Sequence, residues 1–184
     1  MLRKWLAGAF LSLGLLFIGA GLWIPAKGAL AQVLLDNAWN KTRATGVMQK
    51  PWPWADTGPV AKLSMTRTGD DWIVLGGASG QSMAFGPSMM DAAYLPQGVT
   101  LIAAHRDTHF RTLKHVRIGD TIAIEYPDQP LVQYKILETK IVHKDKVRLR
   151  QNTQEDLLVL VTCYPFDALV AGGPLRFVVL AEKI

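Results

Sequence analysis

The sequence predicts a mainly β domain carried behind a single membrane-spanning helix. Three observations lead there. From residue 59 onward, apolar and β-branched residues come in short runs separated by glycine and proline turns, the pattern of an all-β barrel or sandwich. Ahead of them, Trp5 to Ile24 carries no charge at all. The chain has 184 residues, 49% hydrophobic and 19% charged, enough for one domain with a real core and too few for two. The single cysteine excludes a disulfide scaffold. The ordinary apolar fraction excludes disorder as the main state, and a lone spanning run excludes a polytopic membrane protein.

As a helix, Trp5–Ile24 would be about 30 Å long, the thickness of a bilayer's hydrocarbon core. Arg3 and Lys4 precede it, so the positive-inside rule puts the N-terminus in the cytoplasm and the rest outside. Trp5 and Trp23 stand near its two ends, where interfacial aromatics belong. Ala29-Leu30-Ala31 resembles a signal-peptidase site, but the run exceeds the roughly 7–15 apolar residues usual in a cleaved signal, so an uncleaved anchor is expected. Either reading exports the domain. Of the net charge of +5, Arg3, Lys4 and Lys27 account for three, leaving a nearly neutral remainder that argues against a nucleic-acid partner.

The expected organisation is a cytoplasmic tip and anchor over 1–25, a helix and linker over 26–50, and the β domain over 51–184. In residues 26–45, Ala31, Leu34, Leu35, Ala38, Trp39 and Thr42 fall on one helical face, suited to packing on the domain, and Gly46 is a natural stop. Lys50-Pro51-Trp52-Pro53-Trp54-Ala55-Asp56 cannot be a regular helix and reads as an extended arm over the surface. Strands are expected at Val60–Thr66 and Trp72–Leu75, joined by Gly69-Asp70-Asp71, and at Val99–Ala104. Phe110–His115 suits a short helix. Thr121–Tyr126, Leu131–Val142, Leu157–Thr162 and Arg176–Leu180 complete the strands, with turns at Gly119-Asp120 and Pro127-Asp128. Lys144, Lys146, Arg148 and Arg150 alternate as on a basic, solvated strand face.

Cys163 is the centre of any chemistry. A lone cysteine exported to an oxidising compartment is either an inert buried side chain or a nucleophile. It follows the apolar run Leu157–Val161 and precedes Tyr164-Pro165, a strand end that holds a side chain rigidly yet open to solvent. His105 ends Leu101–Ala104 in the same way, and neighbouring strands could bring the two to one rim. Arg176, after Gly172-Gly173-Pro174, is either a plain surface charge or a planar fork for a developing oxyanion. Asp107 could orient His105 or simply pair with Arg106 and Arg111. His109, His115 and His143 suit surface or structural positions better. There is no C-x-x-C, no zinc spacing and no phosphate-binding glycine loop, since Gly76-Gly77-Ala78-Ser79-Gly80 lacks the lysine and following helix; no cofactor or metal is expected.

Ala104-His105-Arg106-Asp107-Thr108-His109-Phe110, then Leu160-Val161-Thr162-Cys163, then Leu175-Arg176-Phe177-Val178-Val179, resembles the sortase family across roughly residues 50–184. Val159 stands where the family's TLxTC signature has its first threonine, and Ala104 where many members have glycine. The arm and the short chain look most like class GN sortases of Gram-negative bacteria. The resemblance implies an eight-stranded β-barrel on the outer side of the plasma membrane, with His105, Cys163 and Arg176 as catalytic residues. It implies a secreted protein substrate with a C-terminal LPxTG-like signal, and an amine acceptor. Two alternatives are another exported cysteine transpeptidase, such as an L,D-transpeptidase, which expects His-Gly where Val161-Thr162 stands, and a non-catalytic anchored binding barrel. The latter requires the three residues to lie apart.

N-terminal sequencing of the membrane-fraction protein is expected to find Met1 or Leu2; a mature terminus at Gln32 would assign the segment to a cleaved signal.

Overall fold

Leu2–Thr45 forms one helix, α1, that runs without interruption through Pro25. The computed structural model describes residues 2–77, 79–90, 98–147, 156–170 and 172–184. The N-terminal half of α1 is long and apolar enough to cross a membrane, and Leu11, Leu13, Leu16, Phe17, Ile18 and Leu22 point away from the domain. Its C-terminal half docks by the face that the periodicity marks. Ala31, Leu35, Ala38, Trp39 and Thr42 are buried, and Leu35 and Trp39 pack on Ile73, Leu75 and Phe85. Gly46 ends the helix with φ +68, its N–H donating to Thr42 O at 2.8 Å, a left-handed cap that glycine adopts without strain.

The domain is built from β1 (Pro59–Met65), β2 (Asp71–Gly76), a short helix α2 (Gly80–Phe85), β3 (Ser88–Met89), β4 (Val99–Ala103), β5 (Thr121–Glu125), β6 (Val132–His143), β7 (Leu157–Tyr164) and β8 (Leu175–Lys183). A 3₁₀ helix, His109–His115, lies between β4 and β5. The strands close into a barrel in the order β1-β2-β3-β4-β7-β8-β6-β5. Alternation sorts the side chains by face. Leu63, Val74, Ile102, Ile122, Ile124, Leu158, Leu160, Val179 and Ala181 fill the barrel with Phe110 and Leu113 of the 3₁₀ helix. Val99, Leu101, Leu157 and Val159, backed by Val161, Val178 and Leu180, make a second apolar layer on the outer face of β4, β7 and β8.

Four expectations change. The arm is a turn: Ala55 N donates to Trp52 O at 3.0 Å, Pro51 and Ala55 are buried, and Trp52 packs edge-on against Phe85 at 5.0 Å. Proline with buried small neighbours favours a local turn as much as an extended strap. Lys144–Lys146 is a 3₁₀ turn instead of a strand, with Asp145 N donating to His143 Nδ1 at 3.4 Å; Arg148 and Arg150 lie outside the described residues. β3 and α2 were not foreseen, because two strand residues cannot display a period. β7 continues through Cys163 to Tyr164, so Cys163 sits within the strand.

The turn after β1 is tied to the start of β5 by charge. Arg67 Nε donates to both Asp120 carboxylate oxygens at 2.8 and 2.6 Å, and Arg117 N donates to the same carboxylate at 2.8 Å. The Arg67 hydrogen bonds hold the Asp120 carboxyl below its ordinary value of 3.8. A depressed carboxylate stabilises the fold fully above the unfolded pKa and progressively less as pH falls through the folded one. Asp120→Asn is therefore expected to lower Tm at neutral pH and to flatten the fall of Tm below about pH 4. Thermal melts between pH 2 and 7 check this; an acid limb as steep as the parent's would assign that loss of stability to other carboxylates.

Candidate active site

β4 and β7 lie parallel, Val99 opposite Leu157 through Ala103 opposite Val161. The pairing runs on past β4: Ala104 N donates to Val161 O at 3.2 Å, and the buried Thr162 hydroxyl donates to Ala104 O at 2.8 Å. One further step sets His105 level with Cys163. On the other side, β8 is antiparallel to β7, and Arg176 is the direct partner of Cys163. Directly opposed residues share a face with Cβ atoms about 5 Å apart. Alternation from the buried Ile102 and Leu160 turns His105, Cys163 and Arg176 to the outer face, at the end of the barrel where β4 and β7 finish and β8 begins.

The three residues named from the sequence therefore stand side by side on neighbouring strands of one rim, which removes the condition on which the binding-module alternative rested. His105 is exposed, whereas Cys163 and Arg176 are half-buried. The Arg176 guanidinium is held by the backbone, Nη1 donating to Gly173 O at 2.7 Å and Leu175 O at 2.9 Å. Below the triad the outer apolar layer opens as a groove of about 290 Å³. Val99, Leu157, Val159, Val178 and Leu180 form its floor, and the paired Glu138 and Lys140 (2.7 Å) stand on its β6 side.

Asp107 does not serve His105. Its carboxylate takes a two-pronged ion pair from Arg106, Nε to Oδ1 at 2.9 Å and Nη2 to Oδ2 at 3.2 Å. Those hydrogen bonds, helped by the nearby charges of Arg106, His105 and Arg111, hold it below 3.8. Arg106 is the residue that sequence reasoning passed over. It is 3% exposed and reaches across to the segment after Cys163, Nη1 donating to Pro165 O at 2.7 Å and Nη2 to Ala168 O at 3.1 Å. One guanidinium thus joins the segment after His105 to the segment after Cys163. Only its place beside His105 signalled it, because arginine is usually exposed. His109 is half-buried under α2, and burial, then the adjacent His105, push it below its usual value, against a hydrogen bond that the ring donates to the Phe85 backbone carbonyl. His115 and His143 are exposed.

A family model for the sortase domain matches residues 63–184. The chain belongs to the sortase family. It is 29% identical over 128 residues to Sortase D of Bacillus subtilis (strain 168), a match covering 66% of this chain and 62% of that protein. This sortase thus spans less than two thirds of that relative's length. Its fold resembles a Clostridium perfringens Sortase D5 transpeptidase (20% identity, TM-score 0.64, covering 85% of this chain and 99% of that one). It also resembles Sortase A from Corynebacterium diphtheriae (21%, 0.62, covering 71% and 63%).

Arg106 acts on the site through position, so its loss should cost turnover more than binding. Arg106→Lys, which keeps charge but loses the fork, is expected to lower kcat at least about tenfold, because small misplacements of reacting groups cost that much. KM should change far less. Steady-state kinetics with a melting curve check this; a parent-like kcat would confine Arg106 to stability.

Proposed function

We propose that this sortase is a membrane-anchored cysteine transpeptidase that cleaves an LPxTG-like signal of a secreted protein and passes the new carboxyl end to an amine. The single observation that carries the reading is the register that sets Cys163 between His105 and Arg176 on one outer face. Cys163, as thiolate, attacks the carbonyl carbon of the signal's threonine. Arg176 turns its fork from the Gly173 and Leu175 carbonyls toward the oxyanion or the bound signal. His105 donates a proton to the departing amine, which leaves a thioacyl-enzyme, then takes one from the incoming amine as that attacks and frees the Cys163 thiolate. Leu and Thr of an LPxT segment lie about 10 Å apart when extended. With the threonine at Cys163, the leucine reaches the groove floor near Val159 and Leu180. Apolar side chains there suit leucine and proline better than a polar peptide. The uncharged run of α1 supplies the single-pass anchor, with the barrel on the outer side of a bacterial plasma membrane. The Lys50–Asp56 sequence resembles that of class GN sortases of Gram-negative bacteria, and membership of that class is part of this reading.

The test is cleavage of an LPxTG-like peptide, with mass detection of a thioacyl adduct on Cys163. Cys163→Ala is expected to lose all turnover and all thiol labelling while keeping its melting temperature within a few degrees, since the side chain lies outside the barrel core. His105→Ala should fall at least about 100-fold, the usual range for a positioned acid–base group. Arg176→Lys should be impaired because an ammonium cannot reproduce the planar fork. Normal turnover by Cys163→Ala would refute the nucleophile; full activity of Arg176→Lys would remove only the oxyanion role.

A further inference from the structure

We propose that the catalytic rim is a membrane-docking surface that rests on the anionic headgroups of the bilayer α1 enters, with Leu169 and Val170 seated in the interface. This rests on the reading of α1 as a membrane anchor.

The direction of α1 is the first ground. Its docked half runs alongside β2. Gln32 Nε2 donates to Phe85 O at 3.0 Å, and Asp36 shares a cleft with Trp72, Ile73 and His109, near the start of β2. Further along, Arg43 pairs with Glu125 at the end of β5 at 2.9 Å. β2 is parallel to β3, β3 antiparallel to β4 and β4 parallel to β7. The rim where β2 starts is therefore the rim where β4 and β7 finish, at His105 and Cys163. Helix α1 thus comes from the membrane past the catalytic rim before reaching the far one.

Distance is the second ground. Gln32 lies eight residues beyond Ile24, or about 12 Å along the helix. A leaflet's headgroup layer takes up roughly 5–8 Å of that. The rim stands within a few ångströms of the headgroups, with no flexible linker to lift it away.

The chemistry of the rim is the third. Leu169 and Val170, in the segment between β7 and β8, are 103% and 78% exposed, and Ile118 before β5 is 70% exposed. Around them Arg111, Lys114, Arg117, Lys144 and Lys146 are exposed. Of the rim's acids, Asp107 is paired with Arg106, Asp120 with Arg67 and Asp71 with Lys62, while Asp36, Asp70, Asp145 and Asp167 offset part of the excess. The far rim has no comparable excess of cations: Arg43 pairs with Glu125 and Lys183 with Asp156, and Asp128 and Glu182 stand against Lys41 and Lys50. Exposed apolar side chains ringed by cations, on the face turned to the bilayer, are what an anionic interface binds. A peptide in the groove with its scissile bond at Cys163 leaves the rim straight toward that bilayer.

The test uses the full chain with Cys163→Ala, reconstituted in lipid nanodiscs. It carries one environment-sensitive dye on a cysteine introduced as Leu169→Cys, Asp128→Cys or Leu16→Cys, with spin-labelled lipid as quencher. The Leu16 dye should be quenched in every disc. In phosphatidylglycerol discs the Leu169 dye should be quenched at least about twice as strongly as the Asp128 dye, a difference lost in phosphatidylcholine discs and at about 1 M salt. Adding Lys114→Glu and Lys144→Glu should bring Leu169 down to the level of Asp128. Quenched Leu16 beside a Leu169 dye no more quenched than Asp128 overturns the proposal and leaves the rim to a protein partner. Quenching of Leu169 that ignores lipid charge and the two substitutions overturns the electrostatic docking. An unquenched Leu16 dye overturns the anchor reading and the proposal with it.

Discussion

The candidate site depends on the parallel pairing of β4 with β7. Parallel strands cannot be joined by a tight turn, so β4 and β7 must come together across a long stretch of intervening chain. Here that stretch holds the 3₁₀ helix, β5 and β6. The pairing then fixes two strand ends at the same height. With Ala103 opposite Val161, a histidine two residues on and a cysteine two residues on arrive together. A slip of one residue would turn either side chain into the barrel interior, because the face alternates with every position. The alternation is anchored by the inward set, Ile102, Leu158 and Leu160, all fully buried. Burial of these side chains therefore aims the polar ones without touching them.

Two devices keep this register from loosening at its end, where the ladder stops and water competes for the backbone. Thr162, buried on the inward phase next to Cys163, gives its hydroxyl to Ala104 O, closing a backbone acceptor that the ladder leaves open. Arg106 does the same for two carbonyls of the segment after Cys163, and Asp107 balances its charge. A buried guanidinium is tolerated only when its donors are satisfied and its charge is met. Here the satisfied partners are the very segments that have to be held together.

Helix α1 and the barrel form one mechanical unit. A helix that ended with its apolar N-terminal half would leave the barrel free to turn. Instead α1 continues for some twenty residues and spends one face on Ile73, Leu75 and Phe85. That packing, the Gln32 and Arg43 contacts at its two ends and the cap at Gly46 set the barrel's orientation relative to the helix. The same face was legible as a periodic stripe, because burial on one side of a helix imposes a period of 3.6 on the sequence.

Seven of the strands, the docked face of α1 and the positions of His105 and Cys163 at the close of apolar runs were written in the chain itself. Each leaves a local mark: alternation or an apolar run for a strand, a stripe for the helix, a polar residue ending an apolar run for His105 and Cys163. What leaves no local mark was decided by tertiary structure. Ser88–Met89 is a strand only because it bridges β2 and β4, closing the barrel with two residues that alone favour nothing. The pairing of Cys163 with Arg176 follows from the register of β7 against β8, which depends on burial along both strands and not on either residue. Arg106 reads as an ordinary surface arginine until the loop after Cys163 covers it, and Asp107, which the sequence leaves open between His105 and the neighbouring arginines, is taken by Arg106. The chain specifies which groups are available through their types and spacing. Which of them meet is settled by the global packing, since contacts between residues some sixty positions apart carry no periodic signature in the sequence between them.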